Sequence, residues 1–244
     1  MVLHNDLQLN TDKSEVIFLG TAPQFQSAAN ILEVEVAGTR LQVALKMKSL
    51  GEGVRSTEGV DCHAKEVARA CNYHICALRT LLTDELAQTV ACSIVASKLD
   101  YCNAMLYSAP AATFDVLQRA QNNLARVVCQ RGGRTDARPL LRSLYWLPVK
   151  HRVTYKMAML TFKTMYSSMQ AYLNDLIKTA VPVGPLRSSD TPLLNIPRMR
   201  TEFAHWSFSV VAPHTWNSLP SDVRSCPTVD PFKRHLKTHL FRQS

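Results

Sequence analysis

Apolar and polar residues alternate along the first fifty residues in the manner of β-strands. One alternating run covers residues 32 to 36 and a second covers residues 41 to 48. Residues 37 to 39, Ala-Gly-Thr, separate the two runs, so the pattern predicts a β-hairpin over residues 31 to 48. The apolar run at residues 16 to 19 predicts a further strand. These strands are too few to cover both faces of their own sheet, so we expect them to pack on other elements.

From about residue 62 the apolar positions recur with the period of an α-helix, which predicts five amphipathic helices. Their inward positions are predicted to be Val67, Cys71, Ile75, Leu78 and Leu82; Leu86, Val90 and Ile94, in a helix that Thr83 caps; Leu117, Ala120, Leu124 and Val127, in a helix that begins near Thr113; Val149, Val153, Met157 and Leu160, after Pro148; and Phe232, Leu236 and Leu240, in a helix that Asp230 caps.

Two stretches fit neither period. Residues 51 to 61 contain three glycines and scattered charges, and we expect an irregular connection there. Residues 181 to 200 are rich in Pro and Ser and predict a loop. The fold class is therefore predicted to be mainly α with a small N-terminal β fragment (α+β), in three segments. These segments are the strands at 1–61, a helical region at 62–130 and a basic extension at 131–244.

Positive charge is concentrated in the second half of the chain. The formal net charge is +9, but residues 1 to 110 hold 9 Lys/Arg against 12 Asp/Glu, whereas residues 111 to 244 hold 19 against 7. A basic half of this kind suits contact with a phosphate backbone, where binding releases counterions and depends on salt. A solvated basic surface without a partner explains the same composition.

The seven cysteines contain no Cys-x-x-Cys pair. This spacing favours thiols that pack between helices in a reducing compartment over a structural zinc site. No apolar run approaches the roughly 20 residues of a membrane-spanning helix, and the polar start is unlike a signal peptide. We therefore expect an intracellular protein, in the cytoplasm or nucleus, that has no membrane partner.

Eight sequence blocks resemble one known protein family. They are LQLNTDKSEV (7–16), KSLG (48–51), SKLDYCNAMLY (97–107), LQRAQNNLARVV (117–128), LRSLYWLPVKHRVTYKMAMLTFK (141–163), LRSSD (186–190), SFSVVAPHTWNSLPSDVR (207–224) and FKRHLKTHLF (232–241). In this order they are similar to the C-terminal region of reverse transcriptases of LINE-type (non-LTR) retrotransposons, above all the CR1, L2 and Jockey-like branches. After KSLG the family continues as an apolar strand, and this chain departs from that pattern.

The resemblance implies the end of a polymerase palm, including its hairpin, then a helical thumb and a C-terminal extension. The family is RNA-directed DNA polymerases, which hold two Mg²⁺ ions on clustered carboxylates during phosphoryl transfer. This chain contains no Asp-Asp pair. The resemblance therefore implies that the palm and fingers that bear the catalytic aspartates are missing, that the chain alone has no polymerase activity, and that it carries no metal or other cofactor of its own.

The resemblance also assigns candidate site residues. Lys13 matches a proton donor to the leaving pyrophosphate, although an exposed turn lysine is the simpler interpretation, with Asn10 shaping the turn. Lys48 and Gly51 match the hairpin that grips the primer end, where glycine permits close backbone approach. Trp146 is interpreted as a core residue that anchors a turn. The predicted nucleic-acid-binding residues are Lys48, Gly51, Arg119, Arg126, Arg131, Arg134, Arg138, Lys150 and Arg152.

Neutral donors and further cations extend this prediction. Gln118, Gln121 and Asn122 are expected to donate to phosphate oxygens beside Arg119 and Arg126. On charge alone, further candidates are Arg187, Arg198, Arg200, Lys233, Arg234 and Lys237.

Three functional hypotheses follow. The first is a reverse transcriptase fragment that is inactive alone but keeps a surface for a template-primer duplex, RNA or an RNA–DNA hybrid. The second is a nucleic-acid-binding module retained by a host genome. The third is a transposon relic without a selected function.

Overall fold

The computed structural model describes residues 10, 13–17, 31–36, 38–44, 46–49, 52–55, 59–78, 89, 91–101, 103–166, 171–180, 193–200, 205 and 207–243. The chain divides into two compact units, Met1–Glu66 and Val67–Ser244. The described parts are mainly helical with a small N-terminal β portion, which confirms the predicted fold class. From Val67 onwards, the predicted segments 62–130 and 131–244 fall in the same unit. Within the described residues, no helix is both long enough and apolar enough to cross a membrane.

A three-stranded sheet in the first unit contains the predicted hairpin. Its strands are β1 (Val16–Ile17), β2 (Glu33–Val36) and β3 (Thr39–Ala44), in the order β1-β3-β2. β2 runs antiparallel to β3, and β1 runs parallel to β3. Gly38 lies in the turn with φ +79°, a left-handed conformation that glycine adopts at little cost. The hairpin is confirmed, and the strand predicted at residues 16 to 19 is confirmed at its first two positions; residues 18 and 19 lie outside the described ranges.

A second hairpin corrects two predictions. The alternating run at residues 41 to 48 is not one strand, because β3 ends at Ala44 and β4 (Lys46–Ser49) pairs with β5 (Glu52–Arg55) instead. The prediction of an irregular segment from 51 to 61 is thus wrong in two places. Residues 52 to 55 form the strand β5, and a helix begins at Gly59. Ser49 pairs with Glu52, so only two residues connect the strands, and a glycine in such a short connection favours a hairpin.

Helices build the second unit, and the first of them contributes residues to both units. Their bounds are α1 (Gly59–Leu78), a π-helical turn (Ala91–Ala96) that continues as α2 (Ser97–Asp100), a 3₁₀ turn (Asn103–Leu106), α3 (Ala111–Val128), α4 (Ala137–Ser143), α5 (Val149–Tyr166), α6 (Ala171–Asn174), α7 (Phe208–Asn217), α8 (Ser221–Arg224) and α9 (Val229–Arg242).

An aromatic cluster joins α5, α7 and α9 in the core of this unit. The ring of Phe162 stacks on that of Phe232 with centroids 4.3 Å apart, and Trp216 stacks on Phe232 at 6.0 Å. All three side chains are buried, as are Leu236 and Leu240, so the predicted inner face of the last helix is confirmed. Aromatic rings bury more apolar area than most side chains, which makes this cluster a main source of stability for the unit.

The predicted inner faces of α1, α3 and α5 are confirmed at most positions. Cys71, Ile75, Leu117, Ala120, Leu124, Val149, Val153 and Met157 are buried, whereas Val67, Val127 and Leu160 are half-buried.

The helix phase predicted around residue 94 is wrong. Ile94 is 38% exposed, whereas its neighbour Val95 is fully buried. These residues lie in the π-helical turn, which has more residues per turn than an α-helix and so moves the buried face on by about one position. The predicted cap Thr83 and most of its helix lie outside the described residues.

The start of α9 also differs from the prediction. The N-cap is Thr228, with extended backbone at φ −136° and ψ 165°, and Asp230 lies inside the first turn. A carboxylate there still favours the helix, because it faces the positive end of the helix dipole. Asp230 also pairs with Lys233 at 3.5 Å.

Hydrogen bonds join the residues on either side of 181–192, a segment that lies outside the described ranges. Thr179 and Leu194 form an antiparallel bridge, flanked by hydrogen bonds from Ala180 N to Leu193 O and from Asn195 N to Lys178 O. The side chain of Asn217 in α7 accepts from Leu194 N at 2.9 Å and donates to Leu194 O at 2.8 Å. The described part of the predicted loop, residues 193 to 200, is irregular apart from this bridge.

Candidate nucleic-acid interface

The loop between α3 and α4 is held in place by Arg126. Its Nε donates to the Thr135 carbonyl at 2.8 Å, and its Nη1 donates to Asn123 Oδ1 at 3.0 Å. At the start of this loop, Gln130 has a left-handed backbone with φ 51°. Arg131 N then donates back to the Arg126 carbonyl at 2.8 Å, which is the Schellman ending of a helix. Arg126 therefore orders the loop, and only part of its donor capacity remains for a ligand.

Three exposed arginines follow on this ordered loop and at the start of α4: Arg131, Arg134 and Arg138. We call these three residues the arginine loop. Asp136 caps α4 by accepting from Arg138 N at 3.1 Å, which fixes the end of the loop. The geometry thus presents three guanidinium groups to solvent on a segment fixed at both ends, an arrangement suited to phosphate oxygens.

Arg119 lies on the exposed side of α3, two turns before Arg126. Its Nε donates to the Asp115 carbonyl on the same helix at 3.1 Å. The remaining guanidinium donors of Arg119 project from the same helix that leads into the arginine loop.

The glutamines of α3 do not match their predicted role. Gln121 is fully buried, and its Nε2 donates to the Leu147 carbonyl at 2.8 Å. Gln118 Oε1 accepts from Val149 N at 2.9 Å, while its Nε2 donates to Gln121 Oε1 and to Asn122 Oδ1. The prediction that these amides donate to phosphates is wrong for Gln118 and Gln121, because their polar atoms hold the turn before α5.

Arg152 does not belong to the predicted nucleic-acid-binding surface, because its guanidinium group is bound to a carboxylate. Its guanidinium forms a bidentate ion pair with the Asp100 carboxylate, in which Nε lies 2.7 Å from Oδ1 and Nη2 contacts Oδ2. The Arg152 side chain is only 16% exposed. It therefore joins α5 to the end of α2. Lys150, by contrast, is exposed at the start of α5, and Trp146 is buried, as predicted.

The described candidates of the first unit lie in a turn and in a strand. Lys13 is exposed in a turn, where its N–H and the Ser14 hydroxyl both donate to the Asn10 carbonyl. This geometry fits the interpretation of a turn lysine shaped by Asn10. Lys48 lies in β4, paired through its backbone with Gly53. Gly51 lies outside the described residues.

A second basic surface was only partly indicated by the sequence. α9 and the end of α4 form a groove of about 520 Å³ lined by Arg142, Tyr145, Arg234, Lys237, Thr238 and Phe241. We call it the α4–α9 groove. Sequence reasoning identified Arg234 and Lys237 by charge alone and missed the two aromatic rings. The basic residues on the exposed side of α9 were the available signal for a binding surface. The residues at the end of α4 that complete the groove lie about 90 positions earlier in the sequence, so the sequence alone did not bring them together.

His151, at the start of α5, is a titratable group in a positively charged region. Burial lowers the pKa of His151, and the nearby charges of Lys150 and His239 lower it further. The imidazole is therefore held neutral to lower pH than an exposed histidine.

The carboxylate cluster that the family resemblance would require for Mg²⁺ does not occur in the part of the chain that the structure describes. No three His, Cys, Asp or Glu side chains there come together as possible metal ligands. The described residues therefore do not fit a two-metal site. Comparison with protein-family models, curated proteins and solved structures gives no match.

Proposed function

We propose that this chain is part of a non-LTR retrotransposon reverse transcriptase and that its helical unit binds nucleic acid, either RNA or an RNA–DNA hybrid. In this proposal α1 to α3 belong to the thumb that contacts the template-primer duplex. The arginine loop is the main contact, assisted by Arg119 and Lys150. The chain supplies binding, and it does not supply the catalytic metal site.

The observation that carries the proposal is the exposure of three guanidinium groups on a loop that Arg126 and the Asp136 cap hold in place. A fixed loop loses little conformational entropy on binding, so more of the electrostatic attraction appears as affinity. Because phosphate contacts dominate such binding, it should weaken steeply with salt and depend little on sequence.

A salt series on the full chain with an RNA–DNA hybrid tests this proposal. The measured quantity is the slope of log binding constant against log salt concentration. Replacing Arg131, Arg134 and Arg138 together by Gln should reduce that slope by about 3, because each lost phosphate contact reduces it by about 1.

The matched control replaces three exposed lysines, Lys156, Lys163 and Lys178, by Gln and removes the same net charge. We expect this control to keep most of the slope. Equal losses in the two triple variants would show that only net charge matters. No binding by the wild-type chain at low salt would contradict the proposal as a whole.

Primer extension tests the proposed absence of polymerase activity. The purified chain, given a primed RNA template, deoxynucleotides and Mg²⁺, should add no nucleotides. Clear extension would contradict this part of the proposal, whatever the binding measurements show.

A further inference from the structure

We propose that the α4–α9 groove binds an unpaired nucleotide, with its base stacked on Tyr145 and its phosphate held by Arg142, Arg234 and Lys237. The inference rests on the proposed function, because the nucleotide belongs to a single-stranded segment that continues from nucleic acid bound at the arginine loop. It adds a second site with a different preference, for single strands over duplex.

The aromatic residues of the groove supply a stacking platform. Tyr145 is 73% exposed. Its ring is nevertheless oriented by an edge-to-face contact with the ring of Phe241, in which the centroids lie 6.4 Å apart and the planes meet at 80°. Lys237 Nζ lies 5.8 Å from the centroid of the Phe241 ring. Phe241 is thus occupied by protein neighbours, whereas Tyr145 offers a supported ring to a ligand.

The charges around this platform select an anion. Three cationic side chains line the groove beside the rings. No described carboxylate forms an ion pair with Arg234 or Lys237, and the sequence holds no Asp or Glu after Asp230. Aromatic rings next to cations are the combination by which proteins bind single-stranded nucleic acids without reading their sequence. A purely acidic peptide would leave the exposed ring without a partner.

The backbone conformation at Tyr145 does not favour the bulky side chain that this position carries. Tyr145 has φ 56°, and it follows α4 in a Schellman ending, with Trp146 N donating to Leu141 O and Tyr145 N donating to Arg142 O. This position of the motif favours glycine, because a residue with a bulky side chain is strained in the left-handed conformation. α3 ends in the same motif, with Gln130 at the position equivalent to Tyr145. A glycine substitution at Gln130 therefore controls for the effect of the backbone change alone.

The experiment compares two probes on the full chain: a blunt RNA–DNA hybrid and the same hybrid with a six-nucleotide single-stranded overhang containing 2-aminopurine. The wild-type chain should bind the overhang probe about tenfold more tightly and quench its fluorescence, as expected for base–aromatic stacking. Tyr145→Gly should lose both effects and still bind the blunt hybrid. Tyr145→Phe should keep both effects.

Gln130→Gly is the matched control, because it makes the same backbone change at the end of α3. It should keep the overhang preference, and circular dichroism should show that both glycine variants are folded. Replacing Arg234 and Lys237 together by Gln should reduce the preference for the overhang without abolishing it.

The outcomes separate the two proposals. Equal wild-type affinity for the two probes would overturn the groove proposal and leave the proposed function standing. An overhang preference that survives Tyr145→Gly would also overturn it. Binding to neither probe would overturn both proposals.

Discussion

The side-chain amide of Gln121 donates a 2.8 Å hydrogen bond to the carbonyl of Leu147, 26 residues further along the chain. Gln121 is 0% exposed. This bond, with the one from Val149 N to Gln118 Oε1, joins the middle of α3 to the turn before α5. The turn carries Trp146 and sets the direction of α5, so two polar side chains position a large part of the helical unit.

Replacing Gln121 by Met should destabilise this unit, because the Leu147 carbonyl would stay buried without its donor. We expect the free energy of unfolding to fall by about 1–3 kcal/mol. Urea unfolding followed by circular dichroism measures the change. Ala112→Ser, at an exposed position of the same helix, should change it by less than about 0.5 kcal/mol. Equal effects of the two substitutions would contradict the structural role of Gln121.

The ion pair of Asp100 and Arg152 should contribute to stability and leave nucleic-acid affinity unchanged. A double-mutant cycle with Asp100→Ala and Arg152→Met should give a coupling of about 1 kcal/mol, a modest value because the Asp100 side chain is 45% exposed and partly screened by solvent. The salt slope of hybrid binding should be the same for Arg152→Met as for the wild type. A slope reduced by about 1 would return Arg152 to the binding surface.

Acid should destabilise the protein through His151. In the unfolded chain this imidazole has its ordinary pKa, near 6.5, and in the folded protein its pKa is lower because of burial and the nearby Lys150. The unfolded state therefore binds more protons between the two values, so the stability present above pH 6.5 is lost as the pH falls. Thermal unfolding measured from pH 7.5 to 5.5 should show a falling melting temperature.

The variant His151→Gln should flatten this pH dependence, because glutamine cannot be protonated in that range. His205→Gln, at an exposed position, is the comparison. If the melting temperature of the His151 variant falls on acidification as steeply as that of the His205 variant, the buried His151 imidazole is not the cause of the acid destabilisation.

Cys71 should resist alkylation that Cys76 accepts. Cys71 is fully buried, with Sγ 4.0 Å from the Val95 carbonyl, and burial raises the pKa of its thiol to about 11. Cys76, five residues later, is exposed. Iodoacetamide at pH 8, followed by peptide mass spectrometry, should modify Cys76 first and reach Cys71 only in denaturant. Similar rates in the native protein would mean that α1 does not pack on the π-helical turn.

The parts of the fold that follow from local pattern were predictable. The period of three and four places Phe232, Leu236 and Leu240 on one face of α9, and the glycine at position 38 suits the left-handed turn of its hairpin. The phase at Ile94 was not predictable in this way, because a π-helical turn moves the buried face and the periodicity rule assumes an α-helix throughout.

The candidate site depends on contacts between distant residues, and these limited its prediction. Arg152 resembles any other surface arginine until Asp100, 52 residues away, is placed beside it. Tyr145 becomes a candidate only when α9 brings Phe241 next to it. Charge in a sequence locates cations, but it does not show which cations are already bound to a carboxylate.

The hydrogen bonds between the Asn217 side chain and the Leu194 backbone also have a consequence for changes in chain length. Asn217 holds the Leu194 backbone through both polar atoms, and the adjacent bridge to Thr179 joins the chain on either side of residues 181–192. The entropy of closing a loop grows slowly with its length, by about 0.6 kcal/mol for each doubling. Residues 178–180 and 193–195 are therefore held side by side through contacts of their own, so a longer chain between them should lower the free energy of unfolding only slightly.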